Sequence, residues 1–101
     1  MKTFVGIELR NKTHGFNYLA ELLDRWADNV RFTGQDEAFL RVMAPFNPEY
    51  AAKTRGRTVN YFVVRRQVES YRNSRGVHLV FDDGEIIDIS IRKAIEAAFA
   101  S

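Results

Sequence analysis

Val77-His78-Leu79-Val80-Phe81-Asp82-Asp83-Gly84-Glu85-Ile86-Ile87-Asp88-Ile89-Ser90-Ile91 is the stretch whose reading decides the fold. Two β-rich runs, Val77 to Phe81 and Ile86 to Ile91, flank Asp82-Asp83-Gly84. Gly84 can supply a positive φ there, and aspartate favours turn geometry, so the two runs form an antiparallel hairpin. Upstream, Thr58 to Val68 carries Val59, Tyr61, Phe62, Val63, Val64 and Val68, a third strand rich in β-branched and aromatic residues. Downstream, Arg92 to Phe99 is predicted to be a helix, with Ile91, Ala94, Ile95, Ala98 and Phe99 on one face. Ser90 stands where its N-cap belongs.

Toward the N-terminus, Phe4 to Arg10 reads as one short strand and Asn11-Lys12-Thr13 as a turn. Phe16, Leu19, Ala20, Leu23, Trp26, Ala27 and Val30 then recur at helical spacing, with Trp26 on the core side. Thr33-Gly34-Gln35-Asp36 resembles a capping box and opens a second helix from about Gln35 through Met43. Pro45 ends it, lacking an N–H and clashing with the preceding turn. Asn47-Pro48-Glu49-Tyr50 starts one more helical turn, which lasts to Lys53. The fold class is therefore α+β: an antiparallel sheet of three to four strands, two longer helices plus a short one before the main strands, and a C-terminal helix. Residues 1–101 make one domain, without internal repeat, linker or low-complexity tract.

Composition narrows the function classes. A chain of 101 residues buries roughly 65% of its unfolded surface, enough for one core. There is no cysteine, which excludes disulfides, thiolate catalysis and cysteine-ligated metal sites. Two histidines far apart argue against a histidine-rich metal site, and no cofactor is expected. No apolar run approaches the roughly 20 residues of a membrane span, and Met1 to Glu8 lacks the apolar core of a secretory signal. The expectation is a cytoplasmic monomer that does not engage membranes.

The ordered series Lys12-Thr13, Asp36-x-x-Phe39-Leu40, Asn47-Pro48, Lys53-x-x-Gly56, Phe62-x-Val64, Asp83-Gly84, Asp88-x-Ser90 and Arg92-Lys93-x-Ile95 resembles the DCL (defective chloroplasts and leaves) family from about Gly6 to Ile95. The resemblance implies a short bacterial member, no established catalytic activity, and a role around RNA, since plant members are linked to ribosomal RNA maturation and ribosome assembly. A module of this family also ends some plant polymerase large subunits. This chain departs from the family in having Asn47-Pro48 in place of His-Pro, so no role for that histidine carries over. Ile91 and Ala94 stand where an aromatic residue and a cysteine are common, and read as packing substitutions.

The net charge of +2 conceals an asymmetry. Lys53, Arg55, Arg57, Arg65, Arg66, Arg72 and Arg75 are seven bases against the single acid Glu69, a segment of +6. The remainder has eight bases and twelve acids, net −4. Arginines bond phosphate oxygens bidentately, and Tyr71 beside them can stack an unpaired base, so this segment is the candidate nucleic-acid site. The alternative is that these are solvated charges paired with the acidic helices. Alternation along a strand puts Arg65 and Arg66 on opposite faces.

Asp82, Asp83, Glu85 and Asp88 are the candidate set for a metal-dependent hydrolase, which needs carboxylates converging on Mg²⁺. Against it, the first two belong to a turn, and Asp88 is better placed to pair with Arg92 or cap the last helix. His78 falls opposite the core, where Asp88 could orient it as a base, but no nucleophile accompanies the pair. His14 reads as a boundary residue. Together these point to a non-enzymatic domain that binds RNA or a ribonucleoprotein. The second reading is a protein-interaction module using the acidic surface around Glu21, Asp24 and Asp28; the third is a small hydrolase.

Overall fold

The computed structural model describes residues 1–66 and 75–100, so Val68, Glu69, Tyr71 and Arg72 lie outside the described residues. The chain begins with a hairpin where the sequence suggests one strand: β1 (Lys2–Phe4) and β2 (Ile7–Leu9) pair antiparallel, with Lys2 opposite Leu9. The break falls at Val5-Gly6, whose φ values of 45° and 84° are the two left-handed positions of a type I′ turn. A β-branched residue resists that conformation, so Val5 holds local strain. The Gln35 amide steadies the turn by donating to the Val5 carbonyl at 3.3 Å.

The first helix, α1 (Lys12–Arg25), starts earlier than its apolar spacing suggests, because Asn11 is its N-cap and accepts from the His14 N–H at 2.9 Å. It also stops short of Val30. Trp26 turns extended, Asn29 is left-handed with φ 63°, and residues 28–32 run along the main sheet. There the Asn29 N–H donates to the Val64 carbonyl at 2.8 Å and the Phe32 N–H to that of Phe62 at 2.9 Å. Covering an open sheet edge satisfies backbone groups that another helical turn would leave unpaired.

The next helix, α2 (Gly34–Met43), has Thr33 at its N-cap, but the capping box does not form. Thr33 makes no side-chain cap bond, and Asp36 turns instead toward α1. Pro45 ends the helix as expected, inside a single 3₁₀ turn, Ala44–Phe46. The short α3 (Tyr50–Thr54) closes on Arg55 and Gly56, both left-handed.

β3 (Val59–Arg66), β4 (Arg75–Phe81) and β5 (Ile86–Asp88) form the main sheet in that order, antiparallel throughout. The expected turn joins β4 to β5: Gly84 has φ 86°, and the Phe81 N–H donates to the Glu85 carbonyl at 3.0 Å. A bulge between Val59 and Tyr61 is held by Arg41, which donates to the carbonyls of Val59 at 3.0 Å and Asn60 at 2.8 Å. The last helix is α4 (Ile91–Ala100), capped by Ser90 Oγ, which accepts from the Lys93 N–H at 3.1 Å. The architecture is α+β with a C-terminal helix; the N-terminal hairpin stands apart from the three-stranded sheet.

The two sheet faces differ. Val59, Phe62 and Val64 of β3 with Val77, Leu79 and Phe81 of β4 form one wall of the core. Leu22 of α1, Phe39, Leu40 and Met43 of α2, and Ile91, Ala94, Ile95 and Ala98 of α4 join the same cluster. Gly15 lets α1 approach α4 closely, since a Cβ there would lie 2.8 Å from Ile95 Cγ2. Register places Tyr61, Val63, Arg65, His78, Val80, Ile86 and Asp88 on the opposite, outer face. No helix among the described residues is long and apolar enough to cross a membrane.

Candidate nucleic-acid interface

Among the described residues, the basic side chains of the 53–75 segment do not converge on one surface. Three gather where β3 begins, near the β4–β5 turn, and each meets a carboxylate. Lys53 Nζ donates to the Asp88 carbonyl at 2.7 Å and lies 3.7 Å from its carboxylate. Asp88 thus pairs with Lys53 and not with Arg92, whose ion pair is with Glu96 at 3.6 Å. Arg57 donates to Glu85 at 2.6 Å and to Asp83 at 3.3 Å, while its guanidinium lies over the Phe81 ring at 4.0 Å. Arg55 lies 3.6 Å from Glu85. The N–H of Glu85 and the guanidinium of Arg57 hold the Asp83 carboxyl below its usual range.

At the other end of β3, roughly 20 Å away, stand Arg65, Arg66 and Arg75. Arg75 is a structural tie: it donates to Asp28 at 2.7 Å, to the Leu23 carbonyl at 2.7 Å and to the Trp26 carbonyl. Those carbonyls end α1, so one side chain closes the helix and anchors it to β4. Arg66, on the same side of the strand, lies 3.8 Å from Asp28. Arg65 points to the outer face, as strand alternation requires, is exposed, and has no ion pair among the described residues. Tyr71 and Arg72 lie outside the described residues.

Arg31 completes the outer face, although it lies outside the basic segment of the sequence. Phe32 points into the core, so its neighbour Arg31 points the other way, beside β3. The Arg31 guanidinium lies over the Tyr61 ring, 5.1 Å from its centroid, and has no carboxylate partner among the described residues. The legible signal was the triplet Val30-Arg31-Phe32, whose alternation fits an extended edge better than a helix. Val63, Val80 and His78 lie buried between these residues, and the Gly76 carbonyl, 3.0 Å from His78 Nδ1, assigns the proton to that nitrogen. His78 and Asp88 are cross-strand neighbours.

A groove of about 360 Å³ between α1 and the β5–α4 junction is lined by Leu19, Leu23, Arg75, Ser90 and Arg92. Its polar groups already have partners: Arg75 as above, Ser90 with Lys93, and Arg92 over the Phe16 ring at 4.1 Å. No three His, Asp or Glu side chains are placed to hold a metal ion among the described residues.

Asn47 is a buried joint. Its Nδ2 donates to the Ser90 carbonyl at 2.8 Å, and its Oδ1 accepts from the Glu49 N–H at 2.8 Å. It therefore ties the start of α3 to the start of α4. Asn47→Ala is expected to lower stability by about 1–2 kcal/mol, because it leaves a donor and an acceptor without partners. Chemical denaturation checks this; a loss below about 0.5 kcal/mol contradicts it.

No curated protein matches the chain. Among solved structures, the solution NMR structure of an uncharacterised protein from Rhodospirillum rubrum superposes with a TM-score of 0.76 at 22% identity, covering 92% of this chain and 86% of that one. At that identity the likeness establishes a shared fold. The profile of a family described as "Protein of unknown function (DUF3223)" matches residues 20–95, from the middle of α1 into α4. The chain belongs to the DUF3223 family.

Proposed function

We propose that this domain is a non-enzymatic RNA-binding module whose contact surface is the outer face of the main sheet. One observation carries the reading: Arg31 and Arg65 project from that face with no carboxylate partner among the described residues, whereas Lys53, Arg55, Arg57, Arg66 and Arg75 are paired within the chain. Unpaired guanidinium groups are free to bond phosphate oxygens without first breaking an internal ion pair. The resemblance to the DCL family points to the same ligand class, RNA or a ribonucleoprotein.

Binding of a short oligoribonucleotide should weaken steeply between about 50 and 200 mM salt. The Arg31→Ala/Arg65→Ala variant should lose affinity and flatten the log–log salt slope by about 1.4, at ~0.7 per phosphate contact on a single strand. Fluorescence anisotropy reads both quantities. Absence of binding by the wild-type protein at about 50 mM salt would overturn the proposal.

A protein-interaction role is the second reading, favoured by a different surface. Val42 and Phe46, one turn apart, are each 40% exposed, and Val5 nearby is 41% exposed. The Phe46 ring meets Phe4 edge-on at 6.0 Å, which joins this surface to the β1–β2 hairpin. Capture of one specific partner that survives nuclease treatment and is lost in Phe46→Asp would favour this reading over RNA.

A further inference from the structure

We infer that the Tyr61–Arg31 pair is a base-stacking platform, so that the ligand of the outer face is RNA with unpaired bases and not a duplex. The inference rests on the RNA-binding reading above and specifies how that binding is achieved. Three observations lead to it.

Tyr61 is partly exposed on a pleated face whose central residues, Val63 and Val80, are small and buried. Its partly exposed ring, and not the buried centre of the face, is therefore what a ligand can reach. Arg31 lies over the ring, and the cation–π attraction holds the two planar groups together. A nucleobase can stack on the aromatic ring or on the guanidinium plane, and in either case it extends an existing stack.

Arg65 is four residues along the same strand on the same face, about 13 Å from Tyr61. It is placed to hold a phosphate of the strand whose base sits on Tyr61. Charge supports this direction of approach. Asp88, the carboxylate on the outer strand β5, is held by Lys53 and lies across the sheet from Arg31 and Arg65.

The geometry selects single strands for a simple reason. In the interior of a duplex both faces of every base are covered by its neighbours, and the rings are unavailable to a side chain on a flat sheet. Only a base already free of the stack can lie on Tyr61. The arginines alone would accept either kind of backbone, so the preference for unpaired RNA must reside in the ring.

Two oligonucleotides separate the possibilities: a short oligouridylate and an RNA duplex of the same length. Tyr61→Leu is expected to weaken binding of the single strand about tenfold and to leave duplex binding unchanged within about twofold. Tyr61→Phe keeps the ring and should bind like the wild type. A loss in Tyr61→Phe equal to that in Tyr61→Leu would overturn stacking, since it would assign the effect to the hydroxyl. Equal single-strand affinity of Tyr61→Leu and wild type would also overturn it, while loss in the Arg31→Ala/Arg65→Ala variant left RNA binding itself standing. Failure of the wild-type protein to bind any RNA would remove both proposals.

The wild-type protein gives a readout that does not depend on a variant folding. Irradiation with an oligonucleotide carrying 5-iodouracil should crosslink to Tyr61, because that photochemistry is favoured by an aromatic side chain stacked on the base. Adducts confined to residues off the outer face would overturn the platform.

Discussion

Replacing Asp36 by alanine is expected to lower the unfolding free energy by about 2–3 kcal/mol and the melting temperature by about 10–15 °C. The carboxylate sits between two helices and gathers three donors. Trp26 Nε1 donates to it at 2.7 Å, Arg25 Nη2 at 3.0 Å and the Tyr18 hydroxyl at 3.4 Å. The side chain is only 15% exposed, so water replaces these bonds poorly. Trp26 in turn stacks on Phe32 with centroids 4.8 Å apart, and Tyr18 packs on Phe39 at 4.8 Å. Loss of the carboxylate therefore loosens the places where α1 and α2 meet the core.

The same carboxylate makes a pH prediction. Burial on its own pushes the Asp36 carboxyl up, but the bonds from Arg25 and Trp26, with the Arg25 charge, outweigh it and hold the group below the usual aspartate range. A group with a depressed folded value adds stability that is fully present above its unfolded value, about 4, and is lost as pH falls through the folded one. Wild type and Asp36→Ala should therefore differ most at neutral pH and converge in acid, below about pH 4. Denaturation curves at neutral and acid pH test this; a gap that widens in acid would contradict it. The Tyr18 hydroxyl responds to the same site: burial and then the Asp36 charge raise it.

Arg75→Ala should cost about 2 kcal/mol, whereas Arg65→Ala should change stability by less than about 0.5 kcal/mol. Both are arginines of the same basic segment, ten positions apart on paired strands. Arg75 bonds two carbonyls at the end of α1 and a carboxylate, and is one-quarter exposed. Its loss removes the donor those carbonyls share and the tie between Asp28 and β4, while the 28–32 segment keeps its backbone bonds to β3. Arg65 makes no such contact among the described residues. The outcome for RNA should be the reverse: Arg65→Ala weakens binding, and Arg75→Ala, measured where it is folded, does not. Parallel melting and anisotropy measurements on the two variants decide this. Equal effects of both substitutions on both readouts would refute the division.

How legible each part was depends on how far apart its determinants lie. The β4–β5 turn needs only Asp82-Asp83-Gly84, and the cap of α4 needs only Ser90 and the helix that follows; both were readable from neighbouring residues. The outward direction of Arg65 followed from the period of two along a strand. The end of α1 was not readable, because Trp26, Ala27 and Val30 keep helical spacing while the bonds that win are made with Phe62 and Val64. The capping box at Thr33 failed for a similar reason. Asp36 has a choice between a local N–H and three donors on α1 and at its C-cap, and the latter include a charge.

The sequence by itself determined the α+β class, the strand order at the C-terminal end, the last helix and the concentration of arginine between Lys53 and Arg75. Each of these follows from turn chemistry, side-chain period or composition, which act over a few residues. Only the tertiary structure decided what those arginines do. Arg57 meets Glu85 and Arg75 meets Asp28 across sequence separations of 28 and 47 residues, so their charges are neutralised by partners no local pattern reveals. The same folding brought Arg31, from outside the basic segment, over Tyr61. Charge along a chain adds up by position, but the field at a surface depends on which opposite charges the fold places within a few ångströms.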